Sequence, residues 1–252
     1  MKEKLLLVAG CSHSAGAEID GTEDSAYNRQ HSFGNILGTK LGRRNINIAS
    51  SGSSNSTIAR SVLEWFAREY DSETMDVFVV VGWTESSRFE LPVDNREAFY
   101  ELNSPSIDWI SQSSKPYIRI NLGWTGADEW EREMLPFYQK FIIENLPYLE
   151  IVSANLVLQI QYFLKMHGVE FIMCNTMHMF KHHPGLDFYL SMIDTTRYVN
   201  FDNNDNCFYW KYRNAGYTNP KAKYWHHNEV PHSLYAEELL TFISSNNYNI
   251  PL

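Results

Sequence analysis

Ser12, Gly52 and a group of histidines near the C-terminus are the residues of this chain whose types and order suggest chemistry. Ser12 lies in the run LLLVAGCSHSAG, residues 5–16, where a short apolar segment stops abruptly at Gly10-Cys11-Ser12-His13-Ser14. A serine acts as a nucleophile when a histidine takes its proton and backbone donors hold the developing oxyanion. His226, His227 and His232 could supply the base. Gly52 sits in a polar turn, where a missing Cβ lets an N–H approach a cleft. Plain roles compete with each of these. Small polar residues after a strand suit any tight β-to-α turn, Gly52 could be an ordinary turn glycine, and the histidines could be solvated. His13 is expected to satisfy a local hydrogen bond, and Glu85 with Arg88 to form a surface pair.

The elements that must position these residues follow from the apolar pattern. Residues 5–9 are continuously apolar, as in a strand buried on both faces. Phe33, Ile36, Leu37 and Leu41 recur at helical spacing, with Gly42 as a stop. Residues 46–49 read as a second strand. Ile58, Val62, Leu63 and Phe66 mark a second helix, capped by Ser56 or Thr57. Residues 77–81 form a third strand. Strand alternating with helix predicts a parallel sheet covered on both faces. Right-handed crossovers then bring the turns at 10–16, 50–56 and 82–88 to one edge, where ligands of open α/β sheets bind. Further on, 132–167 is helix-rich with breaks near Pro136 and Pro147, 169–174 is a fourth strand, and 234–242 is a closing amphipathic helix. Residues 92–131 and 178–223 lack periodicity and read as insertions, whose length suggests function or lids. The expected architecture is one domain over 1–252: an α/β fold, a three-layer α/β/α sandwich with a mainly parallel sheet, flavodoxin-like and enlarged by two insertions.

Composition narrows the classes. Apolar residues make up 44 % and charged residues 20 %, which fits a folded core rather than disorder. Aromatic residues reach 14 %, enough for aromatic-lined surfaces as well as core. The net charge of -9 and scattered basic residues argue against nucleic acid. Cys11, Cys174 and Cys207 form no CxxC pair and suit a reducing compartment. Val8-Ala9-Gly10-Cys11 imitates a lipoprotein cleavage site, but the preceding apolar run is about half an h-region. A core strand and a cytoplasmic, non-membrane protein are therefore expected. GxxxxGK[ST], a strand-linked GxGxxG and the GxSxG elbow are all missing from the sequence.

A metal centre is an alternative. His178 and His182 are spaced four apart, and His183, Cys174, Asp187 and His226-His227 could approach them. Zinc needs three or four such ligands, yet no HExxH or finger spacing is present.

Four blocks in order resemble those of the SGNH (GDSL-type) hydrolases, covering about 50 residues closely. Gly10-Cys11-Ser12 is similar to the family's Gly-Asp-Ser, which makes Ser12 the equivalent nucleophile. The block from Asn47 to Gly52 resembles the second, whose glycine N–H serves the oxyanion. Gly82-Trp83-Thr84-Glu85 takes the place of Gly-x-Asn-Asp. His226-His227-Asn228 precedes the last helix as the family's His-Pro-Asn/Ser does, which maps the base onto His226. The flavour of GCSHSAG, GSSN and GWTESSR looks like divergent members from phages and marine bacteria, so the chain could be phage-encoded. Two of the departures from the family bear on the oxyanion and the acid. Thr84 stands for the third-block asparagine, with one hydroxyl hydrogen to give, and Asn55 is a substitute donor or simply a residue of the helix start. The acid expected three residues before the histidine is Lys223, which cannot accept from an imidazolium. Glu229, Asp187 or Asp194 could supply the acid, or Ser and His could act as a dyad. Glu229-Val230-Pro231-His232 matches the Glu-x-x-His spacing literally, which makes His232 the other candidate base.

The resemblance implies a serine esterase that cleaves an O-acyl ester, either a small acyl ester or an acylated glycan. Ser12 attacks, His226 or His232 is the base, and Ser12, Gly52, Thr84 or Asn55 hold the oxyanion, with no cofactor or metal. A catalytically weak glycan- or protein-binding module is the second reading, and a metal-dependent hydrolase using the histidines the third.

Overall fold

The structure, a computed structural model, describes residues 2–92, 117–120, 136–178, 180–181, 183–201, 203–246 and 248. Strand β1 (Glu3–Gly10) forms its centre, and residues 5–10 are buried. Side chains alternate across a strand. Leu5, Leu7 and Ala9 therefore enter one apolar cluster and Leu6 and Val8 another, on the opposite face. Two buried faces explain the uninterrupted apolar run.

Along the chain, β1 is followed by α1 (Ser12–Ala15), α2 (Ala26–His31), α3 (Phe33–Lys40), β2 (Arg44–Asn47), α4 (Asn55–Glu69) and β3 (Met75–Trp83). Then come β4 (Phe89–Pro92), β5 (Tyr117–Ile120), α5 (Leu146–Met166), β6 (Glu170–Asn175), α6 (Pro184–Leu190), β7 (Tyr198–Val199), α7 (Phe208–Asn214) and α8 (Glu229–Ser245). The main sheet has the order β2-β1-β3-β6-β7, with every pairing parallel. This is the doubly wound, flavodoxin-like order. β4 and β5 form a separate antiparallel pair. One face of the main sheet packs on α4 and α5, and the other on α3, α7 and α8. The result is the expected three-layer α/β/α sandwich. Among the described residues no helix is long and apolar enough to cross a membrane.

Several boundaries differ from the sequence reading for local reasons. α4 starts earlier than Ser56 or Thr57 because Ser54 is its cap. The Ser54 hydroxyl accepts from the Thr57 N–H at 3.1 Å, and Thr57 Oγ1 accepts from the Ser54 N–H at 3.4 Å, a reciprocal box. Pro147 lies in the first turn of α5, where its missing N–H costs no helical bond, so it opens the helix rather than interrupting one. Residues 178–223 carry α6, β7 and α7 instead of irregular chain. β7 has only two residues, too few for a periodic signal. The expected insertion at 92–131 lies outside the described residues except for Pro92 and 117–120.

Gly10 and Gly82 pair at the carboxyl ends of β1 and β3. A Cβ on Gly10 would lie 2.1 Å from Ser14 Oγ, and one on Gly82 would lie 2.4 Å from it. Ser14 is fully buried across these two strand ends. The glycines are therefore required by packing, and they fix the turn that carries Ser12.

Candidate active site

The three polar turns meet at the carboxyl edge of the sheet. The Ser50 N–H donates to the Gly10 carbonyl at 3.1 Å, and Asn47 Nδ2 donates to the Ser14 carbonyl at 2.9 Å. These bonds lock the second turn onto the first. On the other side, the Thr176 N–H and hydroxyl both donate to the Trp83 carbonyl, at 2.8 and 2.7 Å. Cys11 Sγ lies 3.3 Å from Thr176 Oγ1. Ser12, Gly52 and Thr84 are thus set on one edge by backbone ties rather than by their own side chains.

Ser12 opens α1, and its side chain is almost buried. Its hydroxyl makes no hydrogen bond to a described residue. Its carbonyl accepts from the Ala17 N–H at 2.9 Å, while Gly16 ends the helix at φ 79°. The chain then turns at Glu18, which takes the left-handed conformation at φ 60°. The Glu18 N–H donates to the Thr22 carbonyl at 2.9 Å, and the Gly21 N–H donates to the Glu18 carbonyl at 3.0 Å. A non-glycine residue at such φ carries strain that its surroundings must hold in place.

Those surroundings are the segment that carries His226. The Glu18 carboxylate is buried and accepts the Lys223 N–H at 2.8 Å, the Tyr224 N–H at 2.9 Å and His226 Nδ1 at 2.6 Å. A carboxylate can only accept, so Nδ1 carries the proton and Nε2 keeps the lone pair that a base needs. His226 Nε2 has no hydrogen-bond partner among the described residues. Burial pushes the His226 pKa below the ordinary histidine value, Glu18 opposes the shift, and the charge of Arg88 adds to it. The imidazole is neutral at neutral pH. Trp225, next to His226, also has a left-handed backbone, at φ 69°. One strained residue is therefore Glu18 itself, and the other adjoins His226.

Glu18, which the sequence does not single out, is the carboxylate that holds His226. Lys223, at the position the resemblance gives to the acid, contributes its backbone N–H to Glu18 instead. The available signal is an acidic residue between the apolar Ala17 and Ile19, directly after the Ser12 turn. Of the acids considered, Asp194 pairs with Lys165 at 2.6 Å and caps a short turn. Asp187 lies exposed on α6. Glu229 opens α8 and accepts from the Tyr27 hydroxyl. The place behind His226 Nδ1 is already occupied by Glu18.

His232 is not placed as a base. It is buried, its Nδ1 accepts from the Phe33 N–H at 3.2 Å, and its ring stacks on Phe33. Burial takes its pKa down to about 3. It is a neutral core histidine. His227 donates through Nε2 to the Tyr209 carbonyl at 3.0 Å and is also buried. His13 differs from expectation as well. Its Nδ1 is buried without a partner among the described residues, and its ring packs 4.9 Å from that of His226 and 5.8 Å from that of Phe208.

Two backbone N–H groups remain available for an oxyanion. The Ser12 and Gly52 N–H groups have no acceptor among the described residues, and Gly52 holds φ 73°, a conformation that favours glycine. Asn55 does not supply a third donor. Its Oδ1 accepts the Thr84 N–H at 2.9 Å, and its Nδ2 hydrogens go to the Thr84 carbonyl at 3.0 Å and Ser153 Oγ at 3.1 Å. The Thr84 hydroxyl has no partner among the described residues but is sealed from solvent. Glu85 and Arg88 do pair, at 2.8 Å, half-buried rather than on an open surface.

Among the described residues no group of three or more His, Cys, Asp and Glu side chains is set to hold a metal ion. His178 faces Asp205 at 3.6 Å, while His183 faces Glu150 at 3.4 Å. Cys174 lies inside the sheet, where burial pushes its thiol up to about 12. His182 lies outside the described residues. All three cysteines are free and buried.

No family model matches the chain, and no curated protein matches it. Solved structures do. The chain is similar to the psychrotrophic esterase EstA from Pseudoalteromonas sp., with 10 % identity over 96 % of this chain and 98 % of that one and a TM-score of 0.42. It is similar to a carbohydrate esterase family 2 enzyme with a carbohydrate-binding domain from Corynascus thermopiles (Myceliophthora fergusii), with 12 % identity over 96 % of this chain and 66 % of that one and a TM-score of 0.45. The chain thus spans about two thirds of that relative's length. It is also similar to a putative lipolytic protein of the G-D-S-L family from Desulfitobacterium hafniense, with 11 % identity over 95 % of this chain and 99 % of that one and a TM-score of 0.36.

Proposed function

We propose that the chain is a serine esterase of the SGNH type that cleaves an O-acyl ester through Ser12, His226 and Glu18. The 2.6 Å bond from His226 Nδ1 to the buried Glu18 carboxylate carries this reading. It fixes the tautomer with Nε2 basic and stabilises the imidazolium that forms when the serine proton is taken. Ser12 Oγ attacks the acyl carbonyl as His226 Nε2 takes its proton. The N–H groups of Ser12 and Gly52 receive the oxyanion. His226 then gives the proton to the leaving alcohol. Water, activated by the same histidine, hydrolyses the acyl-enzyme and restores Ser12. No cofactor enters these steps. Exposed Trp225 beside His226 supports an acylated sugar as the alcohol, because an aromatic face suits a ring's apolar side.

The test is turnover of p-nitrophenyl acetate by the native chain and by Ser12→Ala. Loss of turnover in the variant supports the reading, and equal rates overturn it. One observation favours a second reading, a weak or inactive binding module: the Ser12 hydroxyl makes no hydrogen bond to His226. An inactive native chain would be its result.

A further inference from the structure

A cleft of about 460 Å³ lies against His226, with a charge unlike that of the chain as a whole. The chain carries a net charge of -9, yet Arg213 and Lys223 line this cleft and no Asp or Glu is among its described lining residues. The Arg213 guanidinium sits 4.5 Å from the Trp225 ring centre and 5.5 Å from that of Tyr209. It gives one N–H to the Tyr209 hydroxyl at 2.5 Å and forms no ion pair with a described carboxylate. A guanidinium held by aromatic faces keeps most of its planar fork for a carboxylate. Trp225 remains 67 % exposed even with Arg213 over it. The same loop is tied to Glu18 through the Lys223 and Tyr224 N–H groups, so the cationic wall and the catalytic acid form one unit. Lys223 is engaged first by Tyr224, whose ring centre lies 4.9 Å from its Nζ, and more weakly by Glu18 and Glu23, which leaves Arg213 as the principal anion group.

We infer that this cleft binds the alcohol half of the ester, and that this half is an acidic sugar: a ring carrying a carboxylate that Arg213 receives, with an O-acyl group directed to Ser12. The volume suits one sugar unit. As a leaving-group subsite, this inference rests on the esterase reading above, but its test does not depend on turnover.

Glucuronate and glucose are titrated into the native chain and into Arg213→Gln, with heat or amide NMR shifts as the readout. The inference expects glucuronate to bind at least 10-fold tighter than glucose, with shifts at Trp225 and His226, and that preference to vanish in Arg213→Gln. Lys223→Gln, at an exposed loop position, should weaken glucuronate several-fold and guards against misfolding of the first variant. Glucuronate binding no better than glucose to the native chain, or a preference unchanged in Arg213→Gln, overturns the inference. Kinetics then separates the two ideas. With O-acetylated glucuronate and O-acetylated glucose, the native kcat/KM should favour the acidic ester at least 10-fold. Turnover without that preference contradicts the subsite. Glucuronate binding without any ester turnover contradicts the esterase and leaves the subsite standing.

Discussion

Glu18 and His226 are 208 residues apart in the chain, yet His226 Nδ1 donates to the buried Glu18 carboxylate at 2.6 Å. Glu18 belongs to the turn that begins with Ser12, and His226 to the loop that leads into α8. The bond therefore ties the start of the sheet edge to the far end of the chain. Two backbone N–H groups from the His226 loop converge on the same carboxylate.

Glu18→Gln should lower kcat on p-nitrophenyl acetate by about 10²–10⁴, on the scale set when a triad acid is made neutral. The amide can also turn its NH₂ toward Nδ1 and favour the wrong tautomer. KM should change much less, because Glu18 acts through His226. Steady-state kinetics checks this, and a Glu18→Gln enzyme with native kcat would remove the acid from the account.

The pH profile should follow from the direction of the His226 shift. Burial holds its pKa below the ordinary histidine value of 6.5, and the base must be neutral to act. The acidic limb of kcat/KM should therefore fall below pH 6.5. A limb at or above that value would mean that the active base is less buried than His226.

Stability should fall on the acid side for the same physical reason. His13, His226, His227 and His232 all have folded pKa values lowered chiefly by burial, His232 to about 3. Below pH 6.5 the unfolded chain binds protons that the folded chain refuses, so unfolding is favoured. The contribution is complete above the unfolded value and is lost as pH drops through the window down to each folded value. Each group that stays neutral contributes a slope of about 1.4 kcal/mol per pH unit. Urea melts at pH 7, 6 and 5 should show this loss, and equal midpoints would contradict it.

The packing of Ser14 gives a test of the sheet edge that is independent of activity. Gly82→Ala and Gly10→Ala should each destabilise by about 1–3 kcal/mol through overpacking. Adding Ser14→Ala should recover part of the loss at Gly82, where Ser14 Oγ is the nearest obstacle at 2.4 Å. It should recover less at Gly10, where Ser14 Cβ itself remains at 2.5 Å. Thermal melts of the two double variants decide this, and equal recovery would contradict the packing.

The sequence carried the parts of this arrangement that depend on local pattern. Apolar runs at 5–9 and 77–81 located the central strands, and Gly10, Gly52 and Gly82 marked the turns that meet at their ends. The acid was not legible, because Glu18 reaches His226 only after a left-handed turn that no periodicity encodes. β7 was missed because two residues carry no pattern. Asn55 reads from the sequence either as a substitute donor or as a residue of the helix start; it opens α4, and its amide is engaged by Thr84 and Ser153. His232 matched a motif spacing and is instead buried against Phe33.

The most direct test of the account is covalent labelling of Ser12 by a fluorophosphonate, mapped by peptide mass spectrometry. Such a reagent captures a serine only when a base and an oxyanion site act on it together. The account predicts one label, on the peptide carrying Ser12, abolished in His226→Asn and slowed strongly in Glu18→Gln. No label on the folded native chain, or a label on any other residue, would contradict it.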